Sequence, residues 1–70
     1  MKAITKEAKD VRVGDVLLLA GIQQHEVFAV TPVGREGGYV EISSRQPGKP
    51  ENVSVAQMPA RAPVKILVSF

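Results

Sequence analysis

His25 is the only histidine in the sequence, and an imidazole is the side chain most often recruited for acid–base work. Its neighbour Glu26 carries a carboxylate, but adjacent residues of a strand point to opposite faces, so the two do not form a dyad. There is no cysteine. Thiolate nucleophiles, thiolate metal sites and disulfide staples are therefore excluded, and one histidine without a matching acid cluster leaves no zinc site within a single chain. His25 is accordingly expected as a strand-surface residue beside a turn. Asp15 follows Gly14 in a break between two apolar runs, where a carboxylate ordinarily accepts hydrogen bonds from its own turn. Gly34, Gly37 and Gly38 do not form a phosphate loop, because no Lys-Ser or Lys-Thr and no helix pattern follows them. They read as a hairpin tip. No catalytic residue, cofactor site or metal site is expected, and the chain is read as non-enzymatic.

One set of side chains suits recognition. Tyr39 and Phe28 offer aromatic faces on which bases or apolar side chains can stack, and Arg35, Arg45 and Lys49 offer charge for phosphates or carboxylates. Aromatic residues make up only 4% of the chain, so a stacking platform would be small. Nine Lys and Arg against seven Asp and Glu give a net charge of +2. That surplus is slight beside the 6–10 phosphate contacts of roughly typical strong DNA binders. Charge permits nucleic acid as a partner without demanding it.

The elements that must position these residues are short and β-rich. Seventy residues make one domain, 1–70, near the lower limit of size for a self-sustaining core. Hydrophobic residues are 44% of the total, rich in Val, Ile and Leu. Residues 1–9 read as a short strand or an ordered arm. Val11-Arg12-Val13 alternates as an extended lead-in, Gly14-Asp15 bends the chain, and Val16 to Leu19 is a strand apolar on both faces. Ala20-Gly21-Ile22-Gln23 reads as a turn. Gln24 to Thr31 reads as a second strand in which either Phe28 and Val30 point inward together or, the favoured reading, a bulge near Phe28 lets both Val27 and Val30 face inward. Pro32 is expected to end it.

Tyr39 to Ser44 alternates cleanly, with Val40 and Ile42 inward and Tyr39, Glu41 and Ser43 outward. After the turn-rich Arg45 to Pro50, Glu51 to Ala56 reads as a strand with Val53 and Val55 on one face, expected to meet Val40, Ile42 and Ile66 inside. Gln57-Met58-Pro59-Ala60 suits a single 3-10 turn with Met58 as a plug, and Pro63 to Val68 closes the chain with Val64, Ile66 and Val68 inward.

The fold expected is thus all-β: five antiparallel strands with one 3-10 turn before the last. That layout resembles an SH3-like small barrel, on the Val11-Arg12-Val13-Gly14-Asp15-Val16 lead-in, the His25-Glu26-Val27 strand, Gly38-Tyr39-Val40 and the terminal Pro63-Val64-Lys65-Ile66 strand. The lead-in also resembles that of KOW-type modules of transcription and translation proteins, without their glycine and basic spacing after the first strand. It is similar to the start of Hint-type self-splicing folds, without their Cys or Ser nucleophile. Size and pattern resemble small accessory proteins of bacteria and phages.

No apolar run approaches the ~20 residues of a membrane span. Met1 to Lys6 lacks the apolar stretch of a signal peptide, so a cytoplasmic protein is expected. Lacking reactive groups and carrying a strand apolar on both faces, the chain is read as a binding or adaptor module for a protein partner, self-association as a homodimer included. The alternative is a nucleic-acid-binding barrel using Tyr39 with Arg35, Arg45 and Lys49.

Overall fold

The computed structural model describes residues 2–19 and 23–68. Among the described residues six strands form one antiparallel sheet: β1 (Lys2–Glu7), β2 (Val16–Leu19), β3 (Gln23–Val33), β4 (Tyr39–Gln46), β5 (Lys49–Pro59) and β6 (Pro63–Val68). Their spatial order is β1-β6-β2-β3-β4-β5, so among the described residues β1 and β5 are the two edges and the sheet does not close. The expected count of five falls short by β1. The segment read as a strand or arm pairs along its whole length with β6, from Lys2 opposite Val68 to Glu7 opposite Pro63.

Side chains from all six strands meet on one inner face, which requires the sheet to bend around itself. Ala8, Val11, Leu17, Val27, Val40, Ile42 and Ile66 form the buried core, and Ile4, Val30, Met58, Val64 and Val68 pack against it. The register explains the grouping. Ile4 lies opposite Ile66, Ile66 opposite Leu17, and Leu17 opposite His25, giving one row across four strands. Such cross-strand neighbours sit close enough to pack directly.

The register of β3 against β4 shifts between Val27 and Ala29, which places the expected bulge at Phe28. The extra residue resets the alternation, so that Val27 before it and Val30 after it both reach the core. Pro32 does not end β3. It pairs opposite Val40, and the strand runs on to Val33.

Three further expectations are corrected. Among the described residues no 3-10 turn lies directly before the last strand: 57–59 belong to β5, and the 3-10 turns are at Ala8–Asp10 and Arg35–Gly37. Met58 packs on the core from a strand position opposite Val40 rather than as a plug. Because Met58 faces in, residues an odd number of places away face out, and Val53 and Val55 are 54% and 59% exposed. The Ala20-Gly21-Ile22 part of the expected turn lies outside the described residues, and Gln23 is the first residue of β3.

One corner of the sheet is bridged by main-chain bonds. The amides of Ala8 and Lys9 donate to the carbonyls of Ala62 and Ala60, each at 2.9 Å, and the Ala60 amide donates to Gly38 at 3.0 Å. The first 3-10 turn is thereby fastened over the link between β5 and β6. Among the described residues no helix is long and apolar enough to cross a membrane.

Candidate functional site

The bend at 12–15 is built by Asp15 and Gly14. The Asp15 carboxylate accepts the Arg12 amide at 2.9 Å and pairs with Lys6 Nζ at 3.1 Å, while the Asp15 amide donates to the Arg12 carbonyl at 3.0 Å. Gly14 takes φ +95°, a conformation that a residue with a Cβ adopts only under strain. Its amide donates to Val27 and the Val27 amide donates to Asp15, both at 2.9 Å, so the bend is docked onto β3. Asp15 therefore does the turn work expected of it. The bend has an outward consequence: Val11 is buried, but Val13 is left 66% exposed. The alternating lead-in expected for Val11 to Val13 is a turn with one valine on the surface.

That exposed Val13 lines a groove of about 350 Å³ together with Lys9, Arg12, Val30, Pro32, Gly37 and Val40. The volume is at the lower end of the roughly 300–1,000 Å³ of ligand pockets. One wall is the first 3-10 turn and the Asp15 bend; the other is the β3–β4 hairpin. Its floor is apolar and its two charged residues are both cations. Arg12 is steadied by long hydrogen bonds from Nη1 to the carbonyls of Lys9 (3.4 Å) and Val11 (3.5 Å). Lys9 has Glu7 at 3.9 Å, an exposed and weakly coupled pair. Sequence reading did not single out this site, because its lining comes from segments far apart in the chain. The available signal was Val13, a valine three residues after the charged Lys9-Asp10 pair and next to the bend.

The five residues expected on a binding surface divide between two places. Arg35 and Tyr39 lie at the β3–β4 hairpin, on or beside the 3-10 turn that carries the groove residue Gly37. The Tyr39 ring packs along Gly34, where an added Cβ would come within 3.5 Å of Cδ1. Phe28, Arg45 and Lys49 belong to the far end of the sheet. The Arg45 guanidinium sits 4.3 Å from the centre of the Phe28 ring, a cation–π contact. Lys49 lies opposite Gln46 at the start of β5. Tyr39 and Arg45 share the outer face of β4, but six residues of strand put them about 20 Å apart. No single surface unites the set.

His25 is buried rather than on the strand surface, at 7% exposure. Its Nδ1 lies 3.5 Å from the Oγ of Ser44, itself buried, and the imidazole tautomer sets which of them donates. Both face the core side of the sheet, and the pair is best understood as polar packing. Among the described residues no group of three or more His, Asp or Glu is placed to hold a metal ion.

Comparison with known proteins adds a fold. No protein-family model matches the sequence, and no curated protein matches it. Among solved structures the chain is similar to a translation initiation factor eIF-5A family protein from Naegleria fowleri, with a TM-score of 0.74 and 12% sequence identity. The match covers 94% of this chain and 47% of that one, so the present chain spans about half its neighbour's length. At that identity the likeness is one of fold: a small all-β antiparallel domain of the kind found in that neighbour.

Proposed function

We propose that the chain is a non-enzymatic binding module on an SH3-like small-barrel plan, and that its groove takes a short segment of a protein partner in which an apolar side chain is flanked by acidic ones. The supporting observation is the groove itself. The apolar Val13, Val30, Pro32 and Val40 line it, and its charged residues Lys9 and Arg12 are both cations on one wall. An inserted apolar side chain is desolvated there while neighbouring carboxylates meet the cations. Arg35, on the 3-10 turn next to Gly37, adds charge on the hairpin side.

A nucleic-acid reading finds less support in the geometry. Its aromatic and basic residues are split between two ends of the sheet, Phe28 is already covered by Arg45, and Tyr39 lies along Gly34.

The test is an NMR titration of the whole chain, at low and at moderate salt, with an acidic peptide carrying a central Leu or Phe and, separately, with a single-stranded oligonucleotide. The peptide is expected to shift the amides of Lys9, Arg12, Val13 and Gly37, and Val13→Asp, an exposed change, to abolish those shifts. Absence of groove shifts at millimolar peptide rejects the reading. Oligonucleotide shifts centred on Arg35 and Tyr39 that fade with salt would put nucleic acid in its place.

A further inference from the structure

We propose that β5 is a self-pairing edge, and that two copies of the chain join their β5 strands antiparallel about a two-fold axis at Ser54, merging two sheets into one. The site is distinct from the groove and rests on other observations.

The two edges of the sheet are unlike. β1, Lys2–Glu7, carries Lys2, Lys6 and Glu7 among its 6 residues. Charged side chains spaced along an edge are the usual protection against strand addition. β5 is 11 residues long, and its protective residues lie at its two ends, Lys49, Pro50 and Glu51 at the start and Pro59 at the finish. From Asn52 to Met58 it has neither a charge nor a proline. From Val53 to Met58 β5 pairs, among the described residues, with β4 alone, while 50–52 fall in a register shift of that ladder.

The main chain shows which groups face the open side. The bond from the Ala60 amide to Gly38 continues the β4–β5 ladder one step beyond Tyr39 opposite Pro59. In an antiparallel ladder hydrogen-bonded pairs alternate with unbonded ones. Met58, Ala56 and Ser54 therefore bond to β4, and Gln57, Val55 and Val53 turn their amides and carbonyls away from it. Pro59 fits this parity, since its missing donor falls on the open side.

The side chains are self-complementary about Ser54. In the proposed register Val53 lies opposite Val55 of the second copy and Val55 opposite its Val53, so four exposed valines cover one another on the outer face. Glu51 falls opposite Gln57 of the second copy. The Gln57 amide already donates one hydrogen to Glu41 at 3.2 Å and has a second to offer. Val53, Val55 and Gln57 all have the parity whose main-chain groups face outward, so the side-chain and backbone requirements select the same register. An interface of one strand pair is smaller than the roughly 1,200 Å² of stable complexes, so association is weak and rises with concentration.

Ser54 meets its own copy at the axis as an unbonded pair. There the Cα atoms of antiparallel strands lie about 4.5 Å apart, within disulfide range. The chain has no cysteine, so a single introduced one reports cleanly. Under mild oxidation Ser54→Cys is expected to form a covalent dimer, while Asn52→Cys, placed opposite Ala56, forms little. Sedimentation of the wild-type chain from about 10 μM to about 1 mM should show the mass climbing toward twice the monomer's, a range suited to weak association. Val55→Pro removes an outward donor without touching a β4 bond, and Val55→Lys places a charge among the valines; each should hold the chain monomeric with its sheet intact by circular dichroism. A wild-type monomer throughout, equal cross-linking at 52 and 54, or cross-linking of Val53→Cys instead would overturn the proposal. Repeating the groove titration on Val55→Lys separates the two readings, because peptide shifts persist there whichever way the dimer test falls.

Discussion

Asp15→Ala removes one carboxylate that joins β1, the 12–15 bend and, through the main chain beside it, β3. The lost bond from the Arg12 amide ends on an ionised acceptor, a class worth about 1.5–3 kcal/mol when buried. Here the bond is open to water, which re-solvates the amide and brings the cost nearer about 1 kcal/mol. The ion pair with Lys6 has side chains 28% and 20% exposed, a setting in which such pairs contribute at most about 1 kcal/mol. Together the alanine variant loses about 1–2 kcal/mol. At about 4–8 °C per kcal/mol for a domain of this size, the melting temperature falls by about 4–16 °C. Asp15→Asn separates the contributions, because the amide oxygen still accepts from Arg12 while the charge is gone. It should cost no more than Lys6→Met, and the deficit of both should shrink in high salt. Thermal and urea denaturation followed by circular dichroism measure all three. If Asp15→Asn is as damaging as Asp15→Ala, the bend is held by charge rather than by the turn bond, and the reasoning fails.

Ile66→Ala empties the centre of the Ile4–Ile66–Leu17–His25 row and should cost about 2–5 kcal/mol, enough to unfold so small a domain, whereas Ile66→Val stays folded; dispersion of the amide NMR spectrum distinguishes them. At Gly14 an added Cβ meets nothing within 4 Å, so Gly14→Ala costs only the backbone strain of φ +95°, about 1–2 kcal/mol. Urea midpoints would show it, with Gly14→Asn milder. His25→Ala leaves a gap beside Leu17 and strips Ser44 of its ring partner, and should destabilise by about 1–3 kcal/mol. Ser44→Ala, read in the same denaturation assay, should cost less.

Much of the sheet was legible from alternation. Tyr39 to Ser44 shows period two with Val40 and Ile42 inward, and the three-residue spacing of Val27 and Val30 favours a bulge over a regular strand with Phe28 and Val30 inward, a choice the register shift at Phe28 decides. Alternation says which residues share a face, and it does not say which face the core occupies. Val53 and Val55 illustrate the gap. Their parity is opposite to that of Met58, so only one set can point inward, and Met58 wins because β4 presents Val40 opposite it. For His25 the signal was present: once Val27 is inward, the residue two places earlier in the same strand must be inward as well.

The groove and the free edge could not be read from local pattern. Lys9, Arg12 and Val13 meet Val30, Pro32, Gly37 and Val40 only because the Asp15 bend docks on β3 through Gly14 and Val27. By itself the sequence determined the strand-forming segments, the Gly-Asp bend, the lack of thiol chemistry and the polar–apolar alternation, all properties of near neighbours in the chain. Strand order, the identity of the two edges, the inward turn of His25 and the meeting of distant segments at the groove were decided by tertiary structure. Pairings between remote strands depend on how the whole inner face is filled, and no short window contains that information.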